Sequence, residues 1–230
     1  MRSDHRPLQH CRLHHRRPAV AGFSLLELLL ACSLGLTLAM AALTALFGDG
    51  DLGRRLGRQL RERQRLERAL ALMAGDLQRG TVLAPDPAAA GLVPACSLAG
   101  RRPVLQILGS DGRLTTYSVG PPPDPIWRGW VLMRCGRAFG AYGLPSPAAV
   151  FQNRVVLDGL DPEPPQPFVC PLPAGQLLQG TGALPLAACA EADSGVVELR
   201  LLLRLGSPAE RPQRLQGERS VQLGDQSGMS

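Results

Sequence analysis

The sequence has no lysine; all 25 of its basic residues are arginine. Its four histidines, His5, His10, His14 and His15, all fall in the first fifteen positions. Past them, histidine acid–base catalysis, Ser–His or Cys–His nucleophile activation and histidine metal ligation have no side chain to work with. With lysine missing as well, little common catalytic chemistry remains. The chain reads as a non-enzyme with no cofactor and no metal. Aromatic residues make up only 4% against 45% hydrophobic, so the core must be aliphatic, built from Leu, Val and Ala. No C-x-x-C pair occurs among the six cysteines, which argues against a zinc site or thioredoxin-like chemistry.

The formal charge of +6 is unevenly distributed. Residues 1–22 carry a net +4, residues 51–79 another +4, and residues 80–230 balance twelve arginines with twelve acids. The basic character therefore flanks one apolar stretch and does not mark a nucleic-acid-binding face, which would spread arginines over a folded surface.

That stretch runs from Phe23 to Phe47, twenty-five residues with Glu27 as the single charge. As a helix it is about 37 Å long, enough to cross a hydrocarbon core of about 30 Å with some tilt. Arg12, Arg16 and Arg17 precede it and favour a cytoplasmic N-terminus with the C-terminal part exported, although Arg54, Arg55 and Arg58 on the far side weaken that bias. An ordinary secretory signal has a shorter apolar region ending in a small-residue cleavage site. Leu29-Leu30-Ala31-Cys32 is similar to a lipobox, but fifteen mostly apolar residues follow Cys32 where a mature lipoprotein turns polar.

Gly22-Phe23-Ser24-Leu25-Leu26-Glu27 resembles the type III signal of type IV prepilins: a basic leader ending in Gly, then Phe, then a long apolar helix with Glu fifth after the cut. The resemblance implies cleavage between Gly22 and Phe23 by a prepilin peptidase, N-methylation of Phe23, and a role for Glu27 in assembly. A carboxylate inside a bilayer costs roughly 2.5–3.5 kcal/mol on insertion scales and normally has a partner. The family suggests the new ammonium at Phe23 of a neighbouring subunit; the alternative is a tolerated acid near the membrane interface. The leader is longer than most, and no proline interrupts the apolar helix.

After Gly48-Asp49-Gly50-Asp51 a helical pattern resumes. Leu52, Leu56, Leu60, Leu66, Leu70, Met73 and Leu77 recur at mostly three- and four-residue spacings, with Glu62 and Arg58 one turn apart and Gly80 as a stop. Beyond Gly80 the pattern turns to strands. A β-hairpin is expected over 104–108 and 114–119, a third strand over 130–134, a short one over 155–157 and a strongly apolar one over 196–205. The proline-dense stretch 162–174 reads as a loop. Met133-Arg134-Cys135, Val156-Leu157-Asp158-Gly159-Leu160 and Val196-Val197-Glu198-Leu199-Arg200 also resemble, in order, segments of PilW-like and J-type minor pilins.

Cys11 falls in the leader and Cys32 in the apolar segment. Cys96, Cys135, Cys170 and Cys189 belong to the exported part, where an even number suits an oxidising space. Three connectivities are open; Cys96–Cys135 with Cys170–Cys189 is preferred, because the second pair brackets the irregular loop.

The expected organisation is a cytoplasmic leader (1–22), a membrane-spanning half-helix (23–47), an amphipathic half-helix (48–79) and an exported β-rich domain (80–230). The fold class is α+β, a long N-terminal helix packed on an antiparallel sheet, type IV pilin-like. The resemblance implies a minor pilin of the bacterial inner membrane and then the pilus, partnered by prepilin peptidase, other pilins, the inner-membrane assembly platform and the lipid bilayer. A type II secretion pseudopilin shares these features. A membrane-anchored or lipidated binding module that never assembles is the alternative of another class, and nucleic acid is a lesser candidate partner.

Overall fold

The computed structural model describes residues 24–84, 91, 93–140, 143–146, 148–178, 183–206 and 213–224, with the side chains of 46–52 left aside. The chain divides into two compact units, Met1–Arg55 and Leu56–Ser230. One α-helix, α1 (Leu25–Arg79), contributes to both. Nine strands follow: β1 (Gly80–Leu83), β2 (Arg102–Gly109), β3 (Leu114–Gly120), β4 (Trp130–Arg137), β5 (Phe151–Leu160), β6 (Gln176–Leu177), β7 (Leu186–Ala190), β8 (Val196–Leu205) and β9 (Gln213–Gln222). The architecture is α+β.

In the first unit, Leu25–Ala45 is a 21-residue helical segment of mean hydropathy 2.1, long and apolar enough to cross a membrane, with none of its side chains buried. A helix that is apolar all round needs an apolar solvent.

In the second unit the sheet is antiparallel, in the order β1-β2-β3-β4-β5-β8-β7-β6, with β9 paired to β8 along its whole length. The β2–β3 hairpin forms where alternating residues flank Gly109-Ser110-Asp111-Gly112. Gly112 lies at φ +69° and its N–H donates to the Gly109 carbonyl, so the tight turn uses a conformation that a side chain would strain. β4 pairs with β3, as the short connection anticipates. The expected strand at 155–157 proves to be the middle of a ten-residue one, β5, which pairs with β4 through two register shifts.

The core lies between one face of α1 and one face of the sheet. Leu66, Ala69, Leu70, Met73, Ala74 and Leu77 are buried, the stripe of three- and four-residue spacing that a packed helix needs. Upstream the stripe is not covered at Leu56 and Leu60, which are 49% and 61% exposed. β8 supplies Val197, Leu199, Leu201 and Leu203 to this core at the two-residue period of a strand. In β7, Leu186 and Ala188 join the same core, while Ala187 and Cys189 pack with Phe168 in a second cluster on the opposite side. Both faces of β7 are covered, so its sequence is an unbroken apolar run.

β9 runs against the helix at Gly217, where an added Cβ would come within 2.8 Å of Leu70 and 2.9 Å of Leu66. Any larger residue there would push the strand off α1.

Candidate functional site

Gly22 and Phe23 lie outside the described residues, as does the whole leader including Cys11. The description begins at Ser24, at the N-terminus of α1. There the Glu27 N–H donates to Ser24 Oγ at 3.2 Å, and the Ser24 N–H donates to Glu27 Oε2 at 3.4 Å. This is the reciprocal S-x-x-E capping box, which satisfies two of the four N–H groups that a helix start leaves open. The spacing was present in the sequence, but the Gly-Phe junction beside it drew the reading of Glu27 toward an intermolecular partner. In a bilayer, where no water can take over those N–H bonds, the cap matters more than at a wet helix end.

Where the second part of α1 meets the sheet, buried charge takes the place of hydrocarbon. Asp76 is almost wholly enclosed. Its Oδ2 accepts from Tyr117 Oη at 2.7 Å and from Arg134 Nε at 2.6 Å; its Oδ1 accepts from Arg134 Nη2 at 3.3 Å and from Arg79 Nη2 at 2.7 Å. Helix, β3 and β4 are thereby joined at one carboxylate. Burial foremost, and then the Asp76 charge, push the Tyr117 phenol well above its ordinary value. Burial works against the charge on Arg134, but its bonds to Asp76 raise its pKa overall. Gly136 leaves the space for this: a Cβ there would stand 2.7 Å from the Arg134 guanidinium. That guanidinium also lies over the Phe139 ring, 4.5 Å from its centroid.

A second network lies about three to four turns earlier on α1. Glu62 pairs with Arg65 at 2.8 Å and with Arg128 at 3.0 Å, in place of the Arg58 pairing expected from spacing. Arg65 and Arg128 both reach Asp158, on β5. Burial tends to raise the Asp158 carboxyl, yet the bonds from Arg65 and from the Arg128 N–H and guanidinium hold it below the ordinary carboxylate value. Asp161, just past β5, accepts from Arg214 Nε at 2.5 Å and ties β9 to the same end of the sheet.

The four cysteines of the second unit form two disulfides. Cys96–Cys135 fastens the segment before β2 to β4, and Cys170–Cys189 fastens the proline-rich loop to β7. These are the preferred pairs. Cys32 is a free thiol, exposed, in the middle of the apolar helical segment. Among the described residues no group of three or more His, Cys, Asp or Glu is placed to hold a metal. The titratable residues that come together do so as closed ion pairs between elements, an arrangement suited to holding a helix on a sheet.

Sequence reasoning missed Asp76, Tyr117 and Arg134 as a group. The available signals were an acid at the end of a leucine stripe and an arginine inside an apolar strand, each of which demands a partner.

Comparison with known protein families, curated proteins and solved structures finds no match to this chain.

Proposed function

We propose that the chain is a non-enzymatic, pilin-like structural subunit. It is made as a membrane-anchored precursor, cut between Gly22 and Phe23 by a prepilin peptidase, methylated at Phe23 and built as a minor component into a pilus or pseudopilus. The observation that carries the reading is the division within α1. Residues 25–45 are apolar with Glu27 as their one charge, whereas Leu66 to Leu77 pack on a disulfide-linked sheet. A subunit that passes from a bilayer into a fibre needs such a two-part helix.

Glu27 has two roles in this reading. In the membrane it caps its own helix through Ser24. In the fibre it also meets the Phe23 ammonium of a neighbouring subunit, where exclusion of water strengthens the attraction and penalises an unpaired charge.

Two variants separate the roles. Glu27→Gln keeps the capping acceptor, since glutamine serves equally at this position of the box, and loses the charge. Glu27→Val loses both. Processing and membrane insertion are expected to be normal in each. Both proteins are expected to accumulate in the inner membrane and to be missing from sheared fibres. Wild-type incorporation of Glu27→Gln would reduce Glu27 to a helix cap and remove the intersubunit pair.

A further inference from the structure

Between α1 and strands β4 and β5 of the second unit lies an open cleft of about 360 Å³. Its walls carry five arginines: Arg65, Arg68, Arg134, Arg137 and Arg154. Among the described residues no aspartate or glutamate lines it. The five arginines are not equivalent. Arg65, Arg134 and Arg137 are held from behind by Asp158, Asp76 and Asp111 respectively. Arg68 on the helix and Arg154 on β5 are exposed, and neither forms an ion pair with a described residue. The lining also includes the aliphatic side chains of Leu72, Val155 and Val156.

We propose that this cleft docks an acidic segment of a partner protein, with carboxylates for Arg68 and Arg154 and an aliphatic side chain for Leu72, Val155 and Val156. Three features favour a polypeptide over a nucleic acid. A duplex carries a charge about every 1.7 Å along its axis and needs a basic track, whereas this cleft has two open guanidiniums, one from α1 and one from β5. A single strand needs aromatic platforms, and among the described lining residues Phe139 is the one aromatic, already covered on one side by Arg134. The lining also holds two buried polar atoms without a partner, Arg137 Nε as a donor and Gln152 Oε1 as an acceptor. An acidic peptide has carboxylates for the first and backbone N–H groups at every residue for the second, whereas the donors of a DNA strand are confined to its bases.

This inference does not depend on the pilin reading, and its test makes no use of assembly. The full chain, in non-ionic detergent micelles, is titrated into a fluorescein-labelled acidic peptide of alternating glutamate and leucine, and anisotropy is followed. Parallel titrations use the same peptide with glutamine for glutamate, and a labelled DNA duplex. Arg68→Ala with Arg154→Ala opens the cleft walls. Arg204→Ala with Arg219→Ala removes the same charge from exposed positions outside it. All four side chains are exposed, so folding is expected to survive.

Saturable binding of the acidic peptide is expected, weakened about tenfold by the cleft pair, as two exposed charge contacts would give. The control pair should leave it within about twofold, and the glutamine peptide should not bind. Absence of saturable binding, or equal weakening by both pairs, would overturn the proposal. So would a duplex that binds more tightly than the peptide and is released by the cleft pair, which would make the cleft a nucleic-acid site.

Discussion

Two acids on one helix have opposite surroundings. Glu27, among exposed leucines, is satisfied by its own first turn. Asp76, fifty residues on in α1, is enclosed and satisfied by two strands and a neighbouring arginine. The difference shows that the helix is written for two environments. In the first unit everything apolar faces outward, so a polar group must be closed locally. In the second the apolar face is covered by the sheet, and a polar group can be closed at long range, which makes it a fastener between elements. On the proposed function, a carboxylate of the first kind serves assembly; one of the second kind holds the second unit together.

The sharpest way to break this comparison is to remove each acid. Asp76→Ala leaves Arg134 buried without its counter-charge, and thermal unfolding should show a loss of about 3–5 kcal/mol in the second unit. Glu27→Val should leave that same unfolding transition where it is. Equal losses would mean that the two acids do the same work.

Next in size are the disulfides. Replacing Cys96 and Cys135, or Cys170 and Cys189, by serine removes cross-links spanning 39 and 19 residues, and each pair should lower stability by about 3–4 kcal/mol in the chain-entropy model. Peptide mapping without reduction should recover these two pairs; four free thiols would contradict the structure.

Acid should loosen the second unit through Asp158. Its folded pKa is depressed by Arg65 and Arg128, so its contribution is complete above the unfolded value of about 3.9 and is lost as pH falls through the folded value. The unfolding midpoint should drop as pH falls below about 4, and Asp158→Asn should flatten part of that drop while lowering stability at neutral pH. Tyr117 gives the smallest effect and the cleanest one. With its phenol raised by burial and by Asp76, its contribution is complete below about pH 10 and is lost as pH rises through the folded value. In a Tyr142→Phe background, which leaves Tyr117 the sole tyrosine, ultraviolet titration should show ionisation only well above that point. An ordinary titration would place Tyr117 in solvent and break the Asp76 cluster.

The elements most legible in the sequence were those with strong local signals. The β2–β3 hairpin was readable from its Gly-Ser-Asp-Gly turn, and β8 from its run of leucine and valine. β7 and β9 were not anticipated. Leu186–Ala190 is too short and too uniformly apolar to show a period, and Gln213–Gln222 is largely exposed, so it carries only two buried positions, Gly217 and Val221, to mark a face. The leucine stripe was legible as a helix but not in its extent. Leu56 and Leu60 have the spacing of Leu66 and Leu70; only the reach of the sheet decides which of them are covered. The ion networks were illegible for a related reason. Arg134 and Asp76 are 58 residues apart, and nothing local pairs them.

The central claim, a helix prepared for a membrane and then for a fibre, stands or falls on where the mature chain begins. Intact-mass and N-terminal peptide analysis of the protein purified from its membrane is therefore the most direct test. The account predicts a chain starting at N-methylated Phe23, and a Gly22→Val variant that stays at precursor length. A mature chain starting at a lipidated Cys32, or an uncut Gly22–Phe23 bond in the wild-type protein, would contradict it.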